Sequence, residues 1–247
     1  MKKFKLTSEF IVDISGVKLF RIKALIEFGN VKAGDLGGYI EKEKNLSHMG
    51  NAWVSGNAQV FGNARVFGNA WVSGDAQVFG NAWVSGNAQV SGNAWVFGDA
   101  QVFGNAQVFG NARVFGNARV SGNARVSGDA LVYDNAWVYD NAWVYGNAQV
   151  SGDARVCGDA RVCGNGDYAY AHGFGSVNRT TTFFRLKDGG VGVRCGCFYG
   201  TLAQFRDKIR ETHGETKKAQ EYLMLADLME LRFEEDENEV GNRKYVE

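Results

Sequence analysis

The sequence predicts a mainly-β fold: a parallel β-helix of hexapeptide repeats with an N-terminal β cap, followed by a small C-terminal α+β module. Three observations carry this expectation. Valine recurs every six residues from Val54 to Val162, 19 times without an insertion. Alanine sits two residues before each of them, as Ala52 does before Val54 and Ala160 before Val162. The 247 residues include 33 Gly and no Pro, against roughly 17 and about 12 on average usage.

Each repeat reads G-[N/D]-A-x-V-x, over residues 51–165. Alanine and valine two apart share one face of an extended segment. The positions flanking Val hold Trp, Gln or Arg before it and Ser, Phe, Tyr or Cys after it. Unpaired Arg and Gln cannot be stacked in a dry interior, so Ala and Val face inward. The Gly-Asn or Gly-Asp pair turns the corner, because both types tolerate positive φ and Asn or Asp can bond its own backbone. Proline would delete a ladder N–H, which accounts for its absence. Periodicity allows triangular 18-residue coils or flat 12-residue ones. The recurrence of Phe61, Phe79, Phe97, Phe115 and Tyr133 at a spacing of 18 favours the triangular coil and a rod about 30 Å long.

Residues 1–50 are not repetitive and read as a β cap, since an open solenoid edge would pair with other chains. Within them Val17–Phe28 reads as a strand and Ala33–Gly38 as a turn cluster. A phosphate-holding role for Gly34–Gly38 is the functional alternative, but the P-loop Lys-Ser/Thr is missing. After Gly164 the period breaks, and residues 166–233 read as a ββαα module. Thr180–Leu186 and Val191–Cys197 are its strands, joined by the hairpin signal Lys187-Asp188-Gly189-Gly190. Thr201 caps a helix over Thr201–Thr212, and Lys217–Phe233 is a second helix, with Tyr222, Leu223, Ala226, Leu228 and Leu231 as its buried candidates. Residues 234–247 read as a charged, flexible tail.

Composition excludes several classes. Lys+Arg and Asp+Glu are both 27, which argues against a globally basic nucleic-acid binder and against an acidic nucleic-acid mimic. Hydrophobic residues at 45% and aromatics at 13% exclude a disordered chain. No apolar run is long enough to span a membrane, no signal peptide is visible, and four cysteines do not make a disulfide scaffold in a chain this long. These features lead us to expect a cytoplasmic protein with free thiols.

With Ala and Val at its two inward positions, the G-[N/D]-A-x-V-x array resembles the hexapeptide-repeat, left-handed parallel β-helix superfamily. The segment Val31–Leu46, leading into Gly50-Asn51-Ala52-Trp53-Val54, is similar to the start of bacterial and prophage-encoded repeat proteins often labelled acyltransferases. The resemblance covers roughly residues 15–165, and the Ser, Phe or Tyr after the aliphatic departs from the usual small or acidic residue. It implies a homo-oligomer, with a trimer favoured, and a phage protein acting in a host cytoplasm, for example by blocking a host-defence factor. The C-terminal module is similar to modules of phage proteins through Arg179-Thr180-Thr181-Thr182, Cys195-Gly196-Cys197-Phe198 and Gly200-Thr201. That likeness singles out Arg179, Thr181, Cys195, Cys197 and His213.

Superfamily acyltransferases place a catalytic His beside a cleft between subunits. Here the repeats contain no His, and the three in the chain are His48, His172 and His213. Cys195-x-Cys197 with His213 falls short of four metal ligands, so neither a metal nor a cofactor is expected. The strongest surface signal is aromatic. Trp53, Trp71, Trp83, Trp95, Trp137 and Trp143 all precede a repeat Val, and rings such as Phe61, Phe79, Phe97, Phe115 and Tyr133 follow one. Such rings either stack along the rod or meet a partner. Arg113, Arg119 and Arg125 belong to an arginine-rich later stretch, interspersed with aspartates that mute its potential. We therefore expect a non-enzymatic scaffold presenting an aromatic-rich surface to a protein partner. Acyl-CoA-dependent transfer and binding of a small molecule or nucleotide between subunits are the alternatives; nucleic acid and membrane are disfavoured.

Overall fold

A computed structural model describes residues 1–13, 15–174 and 178–234. The chain forms two compact units, residues 1–165 and 166–247. Of the tail, residues 235–247 lie outside the described residues.

The first unit is a parallel β-solenoid. Each repeat contributes a two-residue strand, from Trp53–Val54 to Arg161–Val162. Each strand pairs in parallel with the strand 18 residues on, as in Val54 with Val72, Val60 with Val78 and Val66 with Val84. The coil is therefore the 18-residue one, with three sheets as its faces. We call them by their first repeat strand: the Trp53, Gln59 and Arg65 faces. Every repeat Ala and Val is at most 1% exposed, so the interior is one continuous aliphatic column. The corner glycines keep positive φ because the coils stack there. At Gly86 (φ 67°) an added Cβ would lie 2.9 Å from the backbone N of Gly104. Asp134 and Asp140 hold φ of 57° and 58° at two corners, a conformation that short polar side chains tolerate.

Where their own backbone was the expected partner, the corner Asn side chains instead form ladders between coils. Asn69 donates its amide to Asn87, Asn87 to Asn105, Asn105 to Asn123, Asn123 to Asn141 and Asn141 to Asp159, at 3.0–3.4 Å. Other runs end the same way: Asn57 on Asp75, Asn81 on Asp99, Asn111 on Asp129 and Asn135 on Asp153. A carboxylate accepts but cannot donate, so Asp closes each run. At each two-residue corner the Asn amide reaches the corner residue of the next coil, 18 residues on.

The main-chain ladder is polar in the same direction. N–H groups donate forward, as Trp53 does to Ala70 O at 3.0 Å and Gln59 to Ala76 O at 2.9 Å. The carbonyls of the first coil therefore need donors from the cap, and each face receives them differently. On the Gln59 face, strand β3 (Leu36–Ile40) adds in parallel, and Tyr39 N–H donates to Ala58 O at 2.9 Å. On the Arg65 face, Ser47 N–H donates to Val66 O and the Asn45 amide to Gly62 O and Ala64 O. On the Trp53 face the donor is the Lys3 ammonium, 1% exposed, bonded to Ala52 O at 2.7 Å and Gly50 O at 3.3 Å.

Two antiparallel strands, β1 (Phe4–Val12) and β2 (Lys18–Ala24), extend the sheet beyond β3. β2 is shorter than the 17–28 strand expected, and β1 was not anticipated. The proposed Gly34–Gly38 phosphate loop is largely strand instead. A Cβ on Gly37 would overlap Ile22 and Trp53, and one on Gly38 would crowd Ala58 O and Val54, so these glycines admit the cap onto the core.

The second unit has four antiparallel strands, not two, followed by two helices. The strands are Tyr168–Phe174, Arg179–Arg185, Val191–Cys195 and Phe198–Thr201, paired in chain order. Helix α1 (Leu202–His213) starts on a Thr201–Gln204 capping box. Helix α2 (Lys217–Phe233) starts on Thr216. Ala219, Tyr222, Ala226, Met229 and Phe233 form its buried stripe and pack with Phe183, Val193 and Phe205. Leu228 and Leu231 are 54% and 66% exposed, contrary to expectation. The helix is apolar on more than one side, so periodicity did not select the buried one.

Candidate functional site

Most outward aromatic rings contact one another along the rod. Phe61, Phe79, Phe97, Phe115 and Tyr133 form one stack on the Gln59 face, with centroids 4.9–5.1 Å apart and planes within 4°. The faces of its inner rings are covered on both sides, so only ring edges meet solvent. Each tryptophan from Trp71 onward sits beside the outward residue 16 positions earlier. Where that residue is Ser, the indole N–H donates to it: Trp71 to Ser55, Trp137 to Ser121 and Trp143 to Ser127, at 2.9–3.1 Å. Where it is Phe, the rings meet edge to face, as Trp83 does with Phe67 and Trp95 with Phe79. Trp53 is not a surface residue. It is 2% exposed, beneath the Phe28 ring of the cap. Trp83 is the one repeat tryptophan that stands well clear, at 45%.

Charge is segregated. Between residues 51 and 164 every Arg follows an inward Ala on a face, and every Asp sits at a corner. The corner acids are engaged there. Five accept Asn amides, while Asp134 and Asp140 accept the N–H of Gly152 and Gly158. The mixing of Arg and Asp expected from the sequence does not occur on the faces.

In the last three coils the Arg65 and Trp53 faces carry the same outward residues. On the Arg65 face, Arg119, Trp137 and Arg155 pair in register. On the Trp53 face, Arg125, Trp143 and Arg161 do so. In each column the tryptophan is fixed twice, by its bond to Ser and by a tilted contact at 4.7 Å with Tyr139 or Tyr145. Arg161 lies over the Trp143 ring at 5.8 Å, and Arg113 lies over Trp95 at 4.9 Å on the third face. Arg119 and Arg125 are exposed and form no ion pair among the described residues. The sequence carried a signal for this doubling that a search for single residues passes over: adjacent hexapeptides are identical in pairs, RVS at 119 and 125, WVY at 137 and 143, RVC at 155 and 161.

The histidines are dispersed. His48 stacks on Phe4 at 4.3 Å, accepts the Lys3 N–H at Nδ1 and turns Nε2 toward Glu43, so it belongs to the cap. The Lys2 hydrogen bond, chiefly, holds the Glu43 carboxyl below its ordinary range. His172 Nδ1 lies 2.8 Å from Thr180 Oγ1.

In the second unit, Arg179, Cys195, Cys197 and His213 line one cavity. Contrary to the expected Val191–Cys197 strand, the strand ends at Cys195, so Cys195 and Cys197 do not share a strand face. Gly196-Cys197 is a two-residue hairpin turn, with Cys195 paired to Phe198 and Gly196 at φ 58°. Gly at the first turn position is what such a loop requires. Thr181 Oγ1 donates to Cys195 Sγ at 3.2 Å, and Tyr222 OH lies 3.9 Å from that sulfur. Burial first, then the Cys195 thiol, pushes the Tyr222 hydroxyl up to about 12. Among the described residues, no group of three or more His, Cys, Asp or Glu could hold a metal ion. Nor is any helix there long and apolar enough to cross a membrane.

The YdcK beta-solenoid repeat family matches the chain over residues 58–74, 88–104, 106–122, 118–134, 124–140, 136–152 and 148–164. All seven stretches fall within the solenoid. No curated protein matches the chain. The repeats are thus similar to a β-solenoid family, and fold and family description agree on a parallel repeat solenoid.

Proposed function

We propose that this chain is a non-catalytic binding scaffold, a solenoid that self-associates and presents its paired Arg-Trp-Arg columns to an acidic protein partner. Membership of the left-handed hexapeptide-repeat superfamily, with a trimeric assembly, belongs to the same proposal. The doubled column supports it: four arginines and two immobilised tryptophans on adjacent faces, with the corner carboxylates already engaged. Arg and Trp are the residue types that dominate interface energetics, and tryptophans held in place lose little freedom on binding. The uninterrupted coils, without an expelled loop or a histidine, argue against the acyltransferase reading. Ring stacking argues against a base or sugar binding on the aromatic ladder.

The test is affinity capture from bacterial lysate by the wild-type chain and by an Arg119→Gln/Arg125→Gln variant, beside sedimentation equilibrium and an acetyl-CoA turnover assay. The expected result is an oligomer without turnover that retains an acidic protein, released by salt and not retained by the variant. A strict monomer, acetyl transfer, or equal retention by both chains would overturn the proposal.

A further inference from the structure

We infer that the second unit holds a binding site for a small organic anion, a carboxylate or phosphate monoester on a compact apolar body. The site is the cavity of about 260 Å³ between the Cys195–Phe198 turn and the two helices. That is just below the ~300–1,000 Å³ of pockets for drug-sized ligands, so the occupant is small. Phe198, Phe205, Ile209 and Tyr222 supply an apolar lining. The charged or basic side chains at the cavity are Arg179, Lys208 and His213, and among the described residues no Asp or Glu lines it.

The three are not equivalent. Lys208 pairs with Glu211 at 2.9 Å in the open, and His213 stacks on Tyr222 at 5.9 Å. Arg179 makes no ion pair among the described residues, and its guanidinium packs over Gly196. A Cβ at Gly196 would overlap that guanidinium, so the turn glycine is required both for its φ and for seating the arginine. A planar guanidinium beside an aromatic wall suits a two-oxygen anion on an apolar group. The Tyr222 hydroxyl is already committed, donating to Phe174 O at 3.3 Å, so recognition falls to Arg179.

Cys197, exposed at the rim, provides the test. Intact protein is alkylated with iodoacetamide, and the modification rates of Cys197 and Cys163 are read by peptide mass spectrometry. The additives are phenyl phosphate, benzoate and neutral benzyl alcohol. An anion with Kd near 1 mM, present at 5 mM, should slow Cys197 about sixfold. Cys163, exposed on the solenoid, should be unaffected, and Arg179→Gln should abolish the protection. Protection by phenyl phosphate alone would assign the phosphate arm, and protection by benzoate the carboxylate arm. Unchanged Cys197 rates with both anions, equal protection by benzyl alcohol, or protection surviving in Arg179→Gln would overturn the inference. None of these outcomes bears on the arginine columns of the solenoid.

Discussion

Replacing Lys3 with Met should destabilise the chain far more at pH 10 than at pH 7. Lys3 is the donor for two first-coil carbonyls on the Trp53 face, and burial lowers its pKa from 10.5 to about 8. Relative to the unfolded chain, that drop disfavours the ammonium in the folded protein by ~3 kcal/mol. The amine still carries N–H donors for Ala52 O and Gly50 O. Because the folded pKa is the lower one, the unfolded chain binds more protons between pH 8 and 10.5, and wild-type stability rises through that window. Most of the gain, ~2–3 kcal/mol, is realised by pH 10. Methionine fills similar volume but donates nothing, leaving two carbonyls unpaired at a cost of ~1–3 kcal/mol each. At pH 7 this loss is largely offset, because no ammonium is buried. Urea unfolding of both chains at pH 7, 8.5 and 10, followed by tryptophan fluorescence, measures the difference. The remaining ionisable groups are common to both chains, so their contributions cancel in the difference. A difference between wild type and variant that stays flat from pH 7 to 10 would refute the reasoning.

The remaining predictions concern the corners. Asn105→Asp removes the donor to Asn123 and sets a carboxylate against its carbonyl oxygen, 3.1 Å away in the native pair; thermal unfolding should show a loss of ~1–2 kcal/mol. Asp99→Asn should be neutral or stabilising by up to ~1 kcal/mol, since it joins the run ending at Asp99 to the one that starts at Asn117. Gly86→Ala places a Cβ 2.9 Å from Gly104 N in a positive-φ corner, and should cost at least ~2 kcal/mol of stability in the same assay.

The solenoid was legible because its rules are local. A spacing of two between Ala and Val determines which side faces in, and a spacing of six sets the corner. Coil size is not local, and only the Phe61–Tyr133 series distinguished 18 from 12; the rings indeed stack. The Asn ladders were missed because hydrogen bonding within one's own corner and across coils uses the same residues. Trp53 was misplaced because its repeat position is outward, and the Phe28 ring that covers it comes from outside the repeat. In the second unit, Tyr168–Phe174 follows the Gly164-Asn165-Gly166-Asp167 turn but carries its own glycine and little β-branched character, and Phe198–Thr201 is only four residues long, so half of its sheet left little readable pattern. The cavity residues come from three strands, the turn at Gly196 and both helices; the helices and two of the strands were legible, whereas the turn lay inside what read as one strand, Val191–Cys197.

Net charge misleads for a reason the geometry supplies. The aspartates of the repeats are structural acceptors: five close the amide ladders, which a group that accepts without donating does, and Asp134 and Asp140 accept backbone N–H groups. They are therefore confined to corners and largely satisfied there. The arginines do not end such ladders, although Arg161 donates to Asn141 O and Ala160 O. They occupy outward face positions, where Arg113 and Arg161 rest on tryptophans and Arg119 and Arg125 remain unpaired among the described residues. Near-equal numbers of opposite charges in the repeats thus give unequal surfaces: corners whose negative charge is engaged, and faces that carry the cations, with Arg119 and Arg125 outside any ion pair among the described residues. A partner approaching a face meets two parallel sets of cations around fixed indoles. One approaching a corner meets a hydrogen-bonded amide row with little left to offer, so recognition by this rod belongs on its faces.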